Sequence, residues 1–376
     1  MSPPKLWVLL CLPVFAADPP LVGVLAGELE RNFRVLKEKA DPPPYFLSYS
    51  VTETESAVLS ATLGSLTANG QAADRALDVS VRVGSPQLDN YHRMRGDRVQ
   101  FTSGVPVSLD DHPDAVRRRL WLETDRVYRA ASERLIKIRT SSQVKVAEED
   151  SSADFSGEEP SVYNEPPADL DFPRDSWAER VRKLSAAFGK HPAILTSSVS
   201  VRAMRETKHL VTSEGTRLRH GRKFFRVTVT ASGRAEDGMN LATAESFEAA
   251  EARGLPADKV ILAAIEKVAQ ELDGLLKAPV VDPFVGPAIL SGRASGVFFH
   301  EIFGHRIEGH RQKDETEGQT FTKSVNAPVL PEFLSVVFDP TRTRSGDADL
   351  NGRYRFDDEG VAARPVTVVD KGVLKT

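Results

Sequence analysis

Residues 21–66 read LVGVLAGELERNFRVLKEKADPPPYFLSYSVTETESAVLSATLGSL and contain both kinds of secondary structure from which the fold is built. In residues 21–39, apolar side chains recur every three or four positions, which is the spacing of an amphipathic helix. The run Asp41-Pro42-Pro43-Pro44 ends this helix, because proline lacks the N–H that another helical turn needs. Tyr45–Thr54 and Ala57–Leu66 alternate or are rich in β-formers, and therefore predict strands.

The same succession of helix and strands recurs along the chain. Further helices are predicted at Asp114–Ile138, Asp175–Phe188 and Asp258–Leu276. Further strands are predicted at Ala76–Val83, Ile194–Glu206, Lys208–Thr212, Thr216–Arg219 and Lys223–Ser232, with a hairpin turn at Ser213-Glu214-Gly215. Helices and strands that segregate into blocks favour an α+β fold, with an N-terminal domain of helices and antiparallel sheet at 18–277.

The character of the sequence changes at Ala278. An apolar strand is predicted at Val280–Leu290, followed by a helix with Ser291 or Ser295 as its N-cap and Gly309 as its stop. Residues 278–376 are accordingly interpreted as the start of a mostly-β, metal-binding C-terminal domain whose first helix carries a histidine motif.

Residues 147–173 form an acidic segment, with nine acidic residues, four prolines and no basic residue. Such a composition buries too little apolar surface to offset the entropy of ordering, so a mobile insertion is predicted. An acidic lid or docking tail is the alternative.

The N-terminus resembles a secretory signal. Lys5 precedes an apolar run from Leu6 to Ala16, and the small residues Ala16 and Ala17 precede Asp18. Residues 1–17 are therefore predicted to be a signal peptide, which implies a secreted or periplasmic protein. A buried N-terminal helix or strand, and a lipid anchor at Cys11, are the alternatives.

Bulk composition excludes several classes of protein. The 376 residues carry a formal net charge of −4 and are 40% hydrophobic, so neither nucleic acid nor an anionic membrane is an expected partner. No stretch approaches the roughly 20 apolar residues that span a bilayer. The single cysteine, Cys11, excludes an intrachain disulfide and a thiolate zinc cluster.

The chemistry is concentrated in the sequence HEIFGH, in which His300, Glu301 and His305 form His-Glu-x-x-x-His. The common zinc motif HExxH places its histidines one helical turn apart. Here the spacing is one residue longer, and on a regular helix the two imidazoles would diverge by roughly 140°. A π-type turn, which closes i to i+5, would restore their convergence. Loosening of the helix at Gly304 would do the same.

If the histidines converge, they form two ligands of a zinc site. A water on the metal would then attack a peptide carbonyl, with Glu301 as general base and later as donor of the proton to the leaving amine. A third ligand is needed, for which His310 is the first candidate in the chain and Glu308 the next. The alternative, which the predicted helix end at Gly309 favours, is that both belong to a solvated helix end or to a second shell.

The block GVFFHEIFGHRIEGH resembles the HExxxH signature of the TldD/PmbA family, metallopeptidases first known as modulators of DNA gyrase. Three other segments resemble the family in the expected order: LVTSEGTRLR (Leu210–Arg219), LLKAPVVDPFVGPAIL (Leu275–Leu290) and FDDEGVAARPVTVVDKGVLK (Phe356–Lys375). The resemblance implies that His300 and His305 bind Zn²⁺, that Glu301 is the catalytic glutamate, and that peptides or unfolded segments are the substrates. It also implies a dimer, either of identical chains or with a metal-free relative of the TldE/PmbA type.

The chain departs from this family in one respect. Active members supply a downstream cysteine as third ligand, whereas this chain ends at Thr376 without a cysteine beyond Cys11. Either the C-terminal part is missing, which the ending in mid-pattern favours, or another residue replaces the cysteine. A non-catalytic partner subunit with an incomplete metal site is the alternative function, and a regulator of DNA topology is a third.

Asp357 and Asp358 have two interpretations. They could be paired carboxylates for acid–base chemistry, or a turn between strands that Gly360 closes.

Overall fold

The computed structural model of the protein describes residues 20–94, 103–142, 152–312 and 318–375. The predicted signal peptide at 1–17 lies outside the described residues, as do residues 147–151 of the acidic segment. Among the helices described, none combines the length and the apolar composition that crossing a bilayer requires.

The N-terminal part consists of four long helices and a sheet. Its elements are α1 (Pro20–Lys39), β1 (Pro44–Thr62), β2 (Ser65–Ser85), β3 (Leu88–Asp89), β4 (Val105–Pro106), α2 (Pro113–Ser142), β5 (Val162–Asn164), α3 (Arg174–Ser185), β6 (Thr196–Thr212), β7 (Arg217–Arg234), β8 (Asn240–Ala249) and α4 (Asp258–Lys277). The C-terminal part contains α5 (Gly292–Phe299), α6 (Gly309–Gln312), β9 (Val336–Phe338), β10 (Arg344–Ser345), β11 (Ala348–Asp349), β12 (Val366–Asp370) and β13 (Val373–Leu374).

The sheet has the order β3-β2-β1-β6-β7-β5, with β4 on β2 and β8 on β7. All neighbours are antiparallel except β5, which runs parallel to β7. The outer edge of β7 is shared, because β5 pairs with Arg217–Arg219 and β8 pairs with Phe225–Arg234. This arrangement confirms the predicted α+β fold.

The strands are longer and fewer than predicted. The three strands expected between Tyr45 and Val83 are one hairpin of β1 and β2, whose turn has positive φ at Leu63 and Gly64. The four expected between Ile194 and Ser232 are β6 and β7, joined at the predicted turn. Gly221 lies inside β7, where a Cβ would come within 2.5 Å of the Glu206 carbonyl oxygen. Strand β8 was not predicted.

One face of the sheet carries two separate apolar cores. The first packs α1 and α2 on β1 and β2, through residues including Leu25, Tyr49, Val81, Leu120 and Leu135. The second packs α3 and α4 on β1, β6 and β7, through residues including Leu59, Val181, Val201, Phe225 and Ile265. Each half therefore has a helix, antiparallel strands and a second helix, in agreement with the helix-and-strand block that occurs twice in the sequence.

Charged residues of β1, β2 and β6 separate the two cores. Glu53 lies between Val51 of one core and Ala57 of the other, on the same face of β1. His209 Nε2 lies 2.9 Å from Glu53 Oε2, and Arg75 forms an ion pair with the same carboxylate. Burial alone would raise the pKa of Glu53, but the hydrogen bonds and positive charge of His209 and Arg75 outweigh it and lower the pKa to about 2.

The described part of the acidic segment contacts the sheet. Asp154 accepts a hydrogen bond from the Asp89 amide at 3.0 Å and lies 2.8 Å from His92 Nδ1. The Phe155 ring packs against Phe46, at 4.9 Å between ring centroids, and under the guanidinium of Arg82. Strand β5 belongs to the same segment. The mobility of the whole insertion stays a prediction.

Glu53→Gln should destabilise the protein at neutral pH, because the neutral amide loses its charge interaction with Arg75 and His209. We expect the free energy of unfolding at pH 7 to fall by about 1–2 kcal/mol, allowing for partial solvent screening. The native pKa lies below the ordinary value of 4.5, so wild type holds this stability above about pH 4.5 and loses it as the pH falls towards 2.

Urea denaturation at several pH values between 3 and 7 measures both effects. Glu266→Gln is the control, because this exposed carboxylate pairs with His191 outside the two cores and should change stability by less than about 0.5 kcal/mol. Equal acid sensitivity of wild type and Glu53→Gln would contradict the assignment.

Candidate metal centre

The approach to the histidine helix differs from its prediction. The strand expected at Val280–Leu290 is wrong, because the segment has no strand pairing and its side chains are exposed, Val285 and Ile289 completely. The reason lies in Pro283 and Pro287, which lack the N–H groups that a ladder needs.

Helix α5 begins where the sequence indicated. Ser291 occupies the N-cap position with extended backbone angles, and its carbonyl accepts the Ser295 amide at 2.7 Å. The Ser291 side chain makes no capping hydrogen bond. Of the two predicted N-caps, Ser291 is therefore the one used, and Ser295 lies inside the helix.

The helix changes its winding at the histidine motif. Residues His300–Gly304 form a π-helical turn, in which the His305 amide donates to the His300 carbonyl. Opening the helix from i+4 to i+5 turns the two imidazoles towards each other, with 4.4 Å between ring centroids. One ligand atom each from His300, Glu301 and His305 lie within 4.8 Å of one another. The π-type geometry predicted from the spacing is thus present.

Gly304 takes part in this turn with ordinary helical angles, φ −53° and ψ −57°. A Cβ at this position would meet nothing closer than 3.8 Å. The alternative in which glycine loosens the helix through unusual dihedrals is therefore wrong.

The turn is attached to the C-terminal part through Phe303. This side chain is 4% exposed and packs with Val368, Val369 and Leu374 of β12 and β13, and against the Phe321 ring. The histidine side of the turn faces solvent, with the side chains of His300 and Glu301 about three-fifths exposed and that of His305 about one-third exposed. Phe303 therefore anchors the turn on β12 and β13, while His300, Glu301 and His305 remain accessible to solvent.

Glu308 ends the helix and folds back on it. Its angles leave the helical region (φ −57°, ψ 124°), and Gly309 begins α6, so the predicted stop at Gly309 is displaced by one residue. Glu308 Oε1 lies 2.8 Å from His305 Nδ1, and Oε2 accepts from Arg311 Nε at 2.7 Å. The hydrogen bond with His305, and to a smaller extent that from Arg311, lowers the pKa of Glu308.

His310 lies beside this carboxylate, with Nε2 3.5 Å from Glu308 Oε2. It does not belong to the group in which His300, Glu301 and His305 converge, and among the described residues no further His, Cys, Asp or Glu completes that group. Neither of the two candidates for a third metal ligand, His310 and Glu308, joins this group.

The donor set nevertheless fits zinc. Imidazole nitrogens and a carboxylate oxygen are ligands that zinc accepts, and catalytic zinc sites leave a coordination position open for water or substrate. His300 and His305 would hold the ion, and Glu301 is near enough to act on a water beside it.

Asp357 and Asp358 form the predicted turn. Asp357 Oδ1 accepts the amides of Glu359 and Val361 at 3.0 and 2.9 Å, and Gly360 has a φ of +89°. Asp358 forms an ion pair with Lys208 of β6. Their carboxylates are therefore used in a turn and in a contact between the two parts of the chain.

A cleft of about 890 Å³ lies next to this turn, and the sequence did not predict it. It lies between β6, β7 and residues 340–363, and its lining includes Tyr163, His220 and Phe356. Burial lowers the pKa of His220, with a further contribution from the charge of Lys208. None of the three converging metal-site residues lines this cleft, so its volume does not bear on the metal centre.

Comparisons with known proteins found relatives of this chain. Residues 285–376 match a family model described as the PmbA/TldA metallopeptidase C-terminal domain. A metalloprotease of Archaeoglobus fulgidus is 35% identical over 89 residues, which are 23% of this chain and 19% of the relative. A zinc metalloprotease TldD homologue of Saccharolobus solfataricus is 33% identical over 89 residues, 24% of this chain and 18% of the relative. These alignments span about a fifth of the curated relatives.

Solved structures resemble 94% of the chain in fold. TldE from Thermococcus kodakarensis superposes with a TM-score of 0.58 and 15% identity, over 94% of this chain and 69% of the other. A protein of Bacteroides thetaiotaomicron described as a modulator of DNA gyrase gives 0.57 at 13% identity, over 94% and 70% of the two chains. Likeness at these identities concerns the fold alone.

Gly304→Ala tests the finding that the π turn does not depend on glycine. Because alanine fits the helical angles without contact closer than 3.8 Å, the histidines should stay converged. We expect the affinity for Zn²⁺, measured by competition with a chromophoric chelator, to change by no more than about twofold. A loss of tenfold or more would contradict this interpretation of Gly304.

Proposed function

We propose that this chain is a zinc-dependent peptidase of the TldD/PmbA family that hydrolyses peptides or unfolded segments at His300, Glu301 and His305. The observation that carries the proposal is the π turn, which brings ligand atoms of these three residues within 4.8 Å of one another. A regular helix would separate the same two imidazoles by roughly 140° around its axis. The relatives' names, which describe them as metalloproteases, support the reaction class.

His300 and His305 are the proposed metal ligands. A bound zinc ion would supply Lewis acidity to a water and to the peptide carbonyl. A third protein ligand, as catalytic zinc sites usually have, would come from outside the described group.

Glu301 is the proposed general base. It follows His300 directly, and its carboxylate lies 3.9 Å from His300 Nε2, so it borders the position between the imidazoles. Since no cation within salt-bridge distance neutralises Glu301 in the described structure apart from this histidine contact, the carboxylate is available to take a proton. It would accept the proton of the attacking water and pass it to the leaving amine.

The exposed setting of the turn favours an extended substrate that lies across the helix. Enclosure would then come from a second subunit, either an identical chain or a TldE/PmbA-like relative. Val285 and Ile289, which precede the motif in sequence, are fully exposed apolar side chains that a covering partner would bury. Light scattering on the purified chain, alone and mixed with such a relative, distinguishes the two assemblies.

A non-catalytic partner subunit is the second candidate function. The specific observation in its favour is that the described residues bring only two imidazoles and Glu301 together, without a further ligand. Export through residues 1–17 stays a prediction from the sequence.

Glu301→Gln separates the two candidates. Glutamine keeps the size of the side chain but cannot accept the proton, so Zn²⁺ content should stay at the wild-type level while hydrolysis of an unstructured peptide falls by about 10²–10⁴-fold. Metal analysis after dialysis and a fluorogenic peptide assay provide the two measurements.

His300→Ala and His305→Ala should lose the zinc itself. His191→Ala is their control, because this histidine is paired with Glu266 far from the motif and should leave zinc content and hydrolysis unchanged. Zinc bound by wild type without hydrolysis that depends on Glu301 would favour the partner subunit instead.

A further inference from the structure

The two histidines of the motif are held differently. His305 Nδ1 lies 2.8 Å from Glu308 Oε1, whereas His300 has the 3.9 Å approach to Glu301. Of the two histidines, only His305 therefore has a carboxylate within hydrogen-bond distance of a ring nitrogen.

This hydrogen bond determines which nitrogen of His305 carries the proton. An ionised carboxylate only accepts hydrogen bonds, so Nδ1 must donate, and the lone pair of the neutral imidazole is then on Nε2. Metal-binding histidines commonly donate their second ring N–H to a carboxylate, which fixes both the tautomer and the ring orientation.

Glu308 is itself held in place. Arg311 Nε donates to Oε2 at 2.7 Å, and the amides of Arg311 and Gln312 donate to the Glu308 carbonyl at 3.0 and 3.3 Å. The 3₁₀ turn His305–Ile307 and the break at Glu308 bring the carboxylate back to the histidine three residues earlier. Both carboxylate oxygens are thus engaged, which argues against Glu308 as a direct ligand.

We infer that Glu308 is a positioning residue, which holds His305 in the Nδ1–H tautomer with Nε2 presented to the metal. The inference rests on the proposed function, since it assigns Glu308 to the same zinc site.

Zinc affinity provides the first test. Glu308→Ala should raise the dissociation constant for Zn²⁺ by about 10–100-fold, the usual effect of removing a carboxylate that orients a metal-binding histidine. Glu308→Gln should recover most of the affinity, because its amide oxygen can still accept from Nδ1. Glu266→Ala is the matched control: it removes a carboxylate from His191 elsewhere and should leave zinc affinity unchanged.

The tautomer of His305 in the metal-free protein provides the second test. Nitrogen-15 NMR at a pH where imidazole is neutral should show Nδ1–H in wild type and Glu308→Gln, and a shift towards the Nε2–H form in Glu308→Ala. Near-ultraviolet circular dichroism of each variant checks that the fold is intact, so that a loss of affinity is not attributed to unfolding.

The outcomes separate the inference from the function on which it rests. Wild type that binds no zinc contradicts the proposed function. Wild type that binds zinc, with Glu308→Ala binding within twofold of it or with an unchanged His305 tautomer, overturns the role of Glu308 alone. A tenfold or greater loss in Glu308→Ala, with recovery in Glu308→Gln, supports it.

Discussion

The hydrogen bond from the His305 amide to the His300 carbonyl is the interaction on which the candidate metal centre depends. It adds one residue to a single helical turn, and so compensates for the extra residue in His-Glu-x-x-x-His. The arrangement of the three side chains follows from this local change: the imidazoles face each other, and Glu301 lies beside the space between them. With regular winding, the same residues would lie on different sides of the helix.

The turn is held in position by its buried side, and its other side is open to solvent. Phe303, within the turn, is buried on β12 and β13. The adjoining segment is tied in turn to the main sheet, where Asp358 pairs with Lys208 and the Phe356 ring packs on His220. The two faces of the sheet thus have different neighbours. One face is covered by the four long helices, and the other contacts the part of the chain that supports the candidate metal centre.

Much of the fold could be predicted from local sequence. The four long helices were predicted within a few residues, since each buries an apolar stripe of helical spacing. The strand boundaries could not be predicted, because Glu55 and Arg75 lie where the apolar alternation stops, while β1 and β2 continue through them and pair them with Arg205 and Glu53. Those charged side chains pair with one another across neighbouring strands. The hydrophobic pattern of a single strand does not reveal such pairing.

By itself, the sequence determined the α+β character and the four long helices through periodicity, and the spacing of His300, Glu301 and His305 singled out the candidate site. Only the tertiary structure decided between a π turn and a glycine hinge, moved the helix break to Glu308 and put that carboxylate on His305. The physical reason is that these features depend on backbone hydrogen bonds and on buried support from Phe303, which are made between residues whose approach no local pattern specifies.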